Sequence, residues 1–88
     1  MAMHSKGLTK LMEECGELVQ IAAKKSAYIH ADNHPDSSIP MSKRLEDEMG
    51  DVLAAIDFVM KKLDLNPVSI RQRRASKYET FCAWDKED

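Results

Sequence analysis

Apolar residues recur at three- and four-residue spacing over the first third of the chain: Leu8, Leu11, Met12, Cys15, Leu18, Val19, Ala22 and Ala23. That period puts them on one stripe of a helix, predicted to run from about Ser5, whose hydroxyl can cap it, to Ile29. A second stripe, Leu45, Met49, Val52, Leu53, Ile56, Val59, Met60 and Leu63, predicts a helix from near Ser42, read as its N-cap, to about Leu63. Asn66-Pro67 then offers a cap followed by a first-turn proline, and a third helix is expected through SIRQRRASKYETF toward Phe81 or Trp84. The stretch HADNHPDSSIPM, residues 30–41, holds two prolines and several turn formers and is the one long loop. The charged end DKED, residues 85–88, is expected to fray. Gly16 interrupts the first stripe at up to about 1 kcal/mol against alanine, which points to the close approach of another backbone or to simple drift.

Three helices and no strand pattern make the fold class all-α, a small bundle. The 88 residues form one domain, 1–88. Aromatic residues are only 6% of the chain, which favours aliphatic helix–helix packing over a sandwich. A chain of this size buries only about 60–65% of its unfolded surface and is marginal alone. Small helical chains often solve this by self-association, so homo-oligomerisation is expected to complete the bundle.

Charge and cysteine content narrow the function classes. The net charge is −2 and the pI about 5.9, so no broad basic footprint for nucleic acid or a membrane surface is present. The longest apolar run, VLAAI, is far below a membrane span, and MAMHSKG lacks the apolar stretch of a secretory signal. Cys15 and Cys82 form no CxxC. Cys15 falls on the apolar stripe and is expected to be a buried thiol, and a reducing cytoplasmic setting follows.

Both long helices carry an acidic pair. LMEECGEL, residues 11–18, holds Glu14 and Glu17; LEDEMGDV, residues 45–52, holds Glu48 and Asp51. On a helical wheel Glu14 sits at the edge of its stripe with Glu17 about 60° beyond, and Glu48 and Asp51 repeat the relation. The same sectors carry Ile21, Tyr28, Ala55 and Phe58, with Lys10 and Lys25 nearby, so they are not plain solvated faces. Each pair alone is ordinary helix decoration. If the two helices pack antiparallel, four carboxylates converge, and their mutual repulsion calls for a divalent cation. Hard oxygen ligands suit Mg²⁺, with Mn²⁺ as the second choice. His30 and His34 do not make a zinc site, because Asn33 and Pro35 break the helix such a pair would need and no further ligands accompany them.

EECGE at 13–17 followed by EMGD at 48–51 resembles the EExxE…ExxD signature of the MazG-like, all-α nucleoside triphosphate pyrophosphohydrolases. LMEECGELVQIAAK, LEDEMGDVLAAIDFV and LDLNPVSIRQRRASKY are similar to the successive helices of that family, over roughly residues 8–80. The resemblance implies a helical bundle assembled as a homodimer or homotetramer. It implies Mg²⁺-dependent hydrolysis of a nucleoside triphosphate to the monophosphate and pyrophosphate, in a nucleotide house-cleaning role. By position it makes Glu14, Glu17, Glu48 and Asp51 the metal ligands and catalytic acids, with Glu13 the outward-pointing first acid of the motif. Lys25, Lys77 and Arg74 are candidates to hold phosphates, and Tyr28 and Phe58 to line a base slot. Two departures stand out: residues 18–47 separate the motif halves, a long spacing, and Thr80 and Phe81 follow Lys77 where the family often has an arginine, with Arg73 and Arg74 one turn earlier.

Three other readings fit parts of the chain. The first acidic helix also resembles phosphoribosyl-ATP pyrophosphohydrolase of histidine synthesis. IRQRRASKY, within residues 70–78, gathers Arg71, Arg73, Arg74 and Lys77 and suggests a nucleic-acid-binding helical module. A pure dimerisation bundle would use the acids for nothing.

Overall fold

A computed structural model of the chain describes residues 5–33 and 39–86. Three helices follow one another: α1 (Lys6–Ala27), α2 (Met41–Lys62) and α3 (Pro67–Asp85). No strand occurs among the described residues. The helix content and order are those the apolar periodicity predicts, and the ends differ by a few residues. His34 and the last two residues of the charged tail lie outside the described residues.

Local chemistry sets the ends. Ser5 caps α1, its Oγ accepting from the Leu8 N–H at 3.3 Å. Asn66 caps α3, its Oδ1 accepting from Val68 at 2.9 Å and Ser69 at 3.2 Å, with Pro67 at the first helical position where its missing N–H costs nothing. α2 departs from expectation: its N-cap is Pro40, which has no side chain to offer, and Ser42 is already inside the helix. The cap comes from across the loop. Asp32 accepts from the Ser42 N–H through Oδ1 and from the Ser42 hydroxyl through Oδ2, each at 2.8 Å, and its carbonyl accepts from the Met41 N–H at 2.6 Å. Lys25 steadies the same corner, donating to the Ala31 carbonyl at 2.7 Å with its Nζ 3.9 Å from Asp32. α2 ends in a left-handed residue, Asp64 at φ 52°, and the Leu65 N–H returns to the Met60 carbonyl.

α1 and α2 pack against each other antiparallel: Gly7 at the start of α1 meets Phe58 and Val59 near the end of α2. A Cβ on Gly7 would stand 3.3 Å from a Val59 methyl, so the close helix approach is at Gly7. Nothing lies within 4 Å of a Cβ built on Gly16, so the approach expected there is absent.

The core is Ile21, Met41, Ala55 and Val59, each at most 4% exposed. The α1 stripe expected to be buried is largely left out: Leu8, Met12 and Val19 are exposed, and Leu11 and Leu18 only half covered. Cys15, expected to be a buried thiol, is exposed. The physical reason is rotational. α1 turns the flank with Gly7, Glu14 and Ile21 to α2, which points its main apolar stripe elsewhere. α3 packs little against the other described helices: Ile70 is half-buried and every residue from 71 to 86 is exposed. No described helix is long and apolar enough to cross a membrane.

The Asp32 clasp carries a testable consequence. Its hydrogen bonds from the Ser42 hydroxyl and N–H, helped by Lys25, hold the carboxyl below the ordinary aspartate range. A lowered folded pKa means stability that is fully present above the unfolded value and is lost as pH falls through the folded one. Asp32→Ala is expected to lower the thermal midpoint by a few degrees at neutral pH and to flatten its decline in acid. Thermal melts of both proteins across that pH range check it; coincident curves would mean that the clasp contributes nothing.

Candidate functional site

Antiparallel packing puts the two acidic pairs level with each other. Glu14 and Glu17 on α1, and Glu48 and Asp51 on α2, each offer one carboxylate oxygen, and these four oxygens lie within 4.8 Å of one another. The convergence expected from the sequence is therefore formed. It arises because acids three residues apart lie on neighbouring turns of one helix face, and the pairs sit at matching heights on helices running in opposite directions.

The four are not equivalent. Glu14 and Glu48 are half-covered by the helix seam, while Glu17 and Asp51 are exposed. One oxygen of each covered residue, Oε2 of Glu14 and Oε2 of Glu48, is shut off from solvent and has no hydrogen-bond partner. Burial first, then the charges of Glu17 and Asp51, raises the pKa of Glu14, with Lys10 pulling the other way. Burial likewise leads for Glu48, followed by Glu17 and Asp51, by a hydrogen bond to Glu17 that the protonated form can make, and by Glu14. Orphaned carboxylate oxygens are costly, and protonation, a hydrogen-bond donor such as water, or a cation relieves them. The donor set is all oxygen and four-fold anionic, which fits a hard divalent ion such as Mg²⁺ or Mn²⁺.

A cavity of about 230 Å³ opens beside the acids, lined by Lys10, Glu14, Asp51, Ala54, Ala55 and Phe58. Phe58 thus stands where a base-stacking residue was expected, with the Lys62 ammonium 5.7 Å from its ring centre. Lys10 is the residue that sequence reasoning undervalued. It sits one turn before Glu14, which is the available signal, and its ammonium also pairs with Glu13 at 3.0 Å, which raises its pKa. The other expected contacts are not gathered here. Lys25 is engaged at the loop corner with Ala31 and Asp32. Tyr28 caps the C-terminal end of α1, and Arg74 and Lys77 are exposed on α3, which gives no residue to this cavity. A larger hollow of about 490 Å³, along Phe81, Cys82, Trp84 and Asp85, lies on α3 alone and holds none of the clustered acids.

Compared with known proteins, the chain matches no family model, no curated protein and no solved structure.

The raised pKa values set a pH dependence. A carboxyl whose folded pKa lies above its unfolded value binds its proton more readily in the folded state. The metal-free protein therefore loses stability as pH rises through that window. Glu48→Gln, which mimics the protonated form, is expected to raise the thermal midpoint of the chelator-treated protein at neutral pH and to remove much of this dependence. A variant melting at or below wild type would show that the cluster carries no repulsion.

Proposed function

We propose that the protein is a Mg²⁺-dependent nucleoside triphosphate pyrophosphohydrolase that converts NTPs or dNTPs to the monophosphate and pyrophosphate and works as a homodimer or homotetramer. The observation that carries this reading is the meeting of Glu14, Glu17, Glu48 and Asp51 around one point, with two of their oxygens shielded and unpartnered. The spacing of these acids, with the apolar pattern around them, is also what resembles the MazG-like family.

Glu14, Glu17, Glu48 and Asp51 would hold the metal. When bound, it would neutralise triphosphate oxygens that carboxylates alone repel and stabilise the leaving pyrophosphate. The chain's own groups account for the rest. Lys10, beside Glu14 on the cavity wall, can pair with a phosphate oxygen. Ala54, Ala55 and Phe58 give the cavity an apolar side suited to a flat ring. Glu14, Glu17 and Glu48 are the candidates to accept a proton from an attacking water. The cavity is smaller than the roughly 300 Å³ at which ligand pockets begin, so further walls are needed to enclose a nucleotide. Lys25, Tyr28, Arg74 and Lys77 remain candidates for those walls.

Pyrophosphate release from each common NTP and dNTP, with Mg²⁺, with Mn²⁺ and with chelator, is the deciding assay. Turnover is expected with metal and not with chelator, and Asp51→Asn or Glu17→Gln should cut it by about 100-fold or more. Mg²⁺ should raise the melting temperature of wild type and not of Asp51→Asn. Silence on every nucleotide together with turnover of phosphoribosyl-ATP would move the activity to the histidine-pathway reaction. Silence on all of them would end the enzyme reading.

A second reading has one observation in its favour. Arg71, Arg73, Arg74 and Lys77 all stand exposed on α3, which packs little against the other described helices. A salt-dependent gel shift with DNA or RNA, without nucleotide hydrolysis, would favour a nucleic-acid-binding module.

A further inference from the structure

All four cations and all three aromatic rings of α3 lie on one side of it. At about 100° per residue, Arg71, Arg73, Arg74 and Lys77 fall within an arc of about 160°. Tyr78, Phe81 and Trp84 fall inside the same arc, so that cation and ring alternate around it. Ile70 shares the arc, and of the helix's two acids only Asp85, its last residue, joins it. The remaining side, with Ser69, Gln72, Ala75, Ser76 and Thr80, is small or neutral apart from Glu79. Along the axis the cations occupy the first half of the arc and the rings the second, over about 20 Å from Arg71 to Trp84.

These groups are available. None of the four cations makes an ion pair with another described residue. Tyr78, Phe81 and Trp84 are 65%, 58% and 67% exposed. The hollow of about 490 Å³ along Phe81 and Trp84 has the volume of a ligand pocket. Four cations against one acid also make this side positive on a chain whose net charge is −2.

The mixture narrows the partner. A helix lying on a membrane keeps its cations on the side away from its apolar residues, whereas here the two share a side. An apolar protein surface would leave four cations desolvated and unpaired, at a cost that ring burial has to overcome. A nucleic-acid duplex would engage the cations but keeps its bases stacked on one another, which gives three exposed rings nothing to hold. A single strand offers both phosphates and free base faces.

We propose that α3 is a single-stranded nucleic-acid-binding helix, on which Arg71, Arg73, Arg74 and Lys77 hold the phosphates and Tyr78, Phe81 and Trp84 stack the bases. The rings give up water to bases that also need cover, and the positive charge draws the strand in. This rests on the second reading above and not on nucleotide hydrolysis.

The test uses the full chain in chelator with 5′-hydroxyl oligonucleotides of about 16 residues, the upper site size of a single-strand platform. Chelator and the missing triphosphate keep the clustered acids out of the measurement. Single-stranded DNA or RNA is expected to bind at least about tenfold more tightly than a duplex of the same sequence, and the tighter of the two names the natural strand. Stacking should quench the fluorescence of Trp84, the one tryptophan of the chain. Arg71→Gln should lower the slope of log affinity against log salt by about 0.7. Phe81→Leu, which keeps an apolar side chain, should weaken binding by about fivefold or more at unchanged helix content. Absence of binding at low salt would overturn the proposal together with the second reading. Equal affinity for duplex, without Trp84 quenching or loss in Phe81→Leu, would overturn the proposal and leave the second reading standing. Binding to anionic lipid vesicles and not to oligonucleotides would overturn both in favour of a membrane surface.

Discussion

Like charge drawn into a seam between two helices is the constraint around which this small fold is arranged. Glu14 and Glu48 are half-covered where α1 and α2 approach, and burial there, followed by the charges of Glu17 and Asp51, raises the pKa of both. A hairpin carrying such a seam has to be fastened elsewhere. The fastenings are found at both ends of it. At one end Gly7 lets α1 come close to Val59 and Phe58. At the other, Met41 is fully buried and Asp32 clasps Ser42. Ile21 and Ala55 close the seam along its length. The apolar contacts and the clasp thus bracket the acids and hold them together against their repulsion.

That arrangement explains why the acid face and the apolar face had to part. α1 has two usable flanks, a wide apolar stripe through Met12 and Val19 and a narrower mixed one through Gly7, Glu14 and Ile21. The narrower flank packs inside the chain. Small side chains there, Gly7 of α1, which lies against Val59, and Ala55 of α2, permit the near approach that brings carboxylates of two helices to one point. The wide stripe could not do this without turning the acids into bulk water. Internal packing therefore goes to the flank that carries the acids, and the greater share of apolar surface stays exposed.

The elements and the site were legible in the chain, and the use of the stripes was not. Spacing of three and four marks α1 and α2, the Asn66-Pro67 start signal marks α3, Ser5 and Asn66 mark two of the caps, and the acids at 14, 17, 48 and 51 stand out before any geometry. The α2 cap was missed because its donor and acceptor are ten residues apart across a proline-containing loop, where local rules for helix starts look only at neighbouring residues. Cys15 was expected to be buried because periodicity identifies an apolar face without saying whether its cover lies in the same chain. Of the two readings open for Gly16, close approach or drift, the close approach is absent and Gly7 makes it instead; a glycine in mid-helix is conspicuous and one in the first turn is not. Phe58 stands beside the acids because it is about two helical turns from Asp51 on the same side, and Lys10 is nearby in the sequence without being assigned to the site.

The position of α3 follows from the same division of surfaces. Asn66 and Pro67 start it firmly, and the left-handed Asp64 turns the chain out of α2, so its direction is fixed by local backbone chemistry rather than by packing. A 19-residue helix in water is marginal without tertiary contacts, and this one has almost none in its own chain. Its aromatic residues, Tyr78, Phe81 and Trp84, are each more than half exposed. Helical propensity alone does not account for aromatics in those positions, because aromatic side chains lose rotamer freedom in a helix and regain free energy only on burial. The composition of α3 is thus that of a packed helix, whereas its surroundings within one chain are those of a free one.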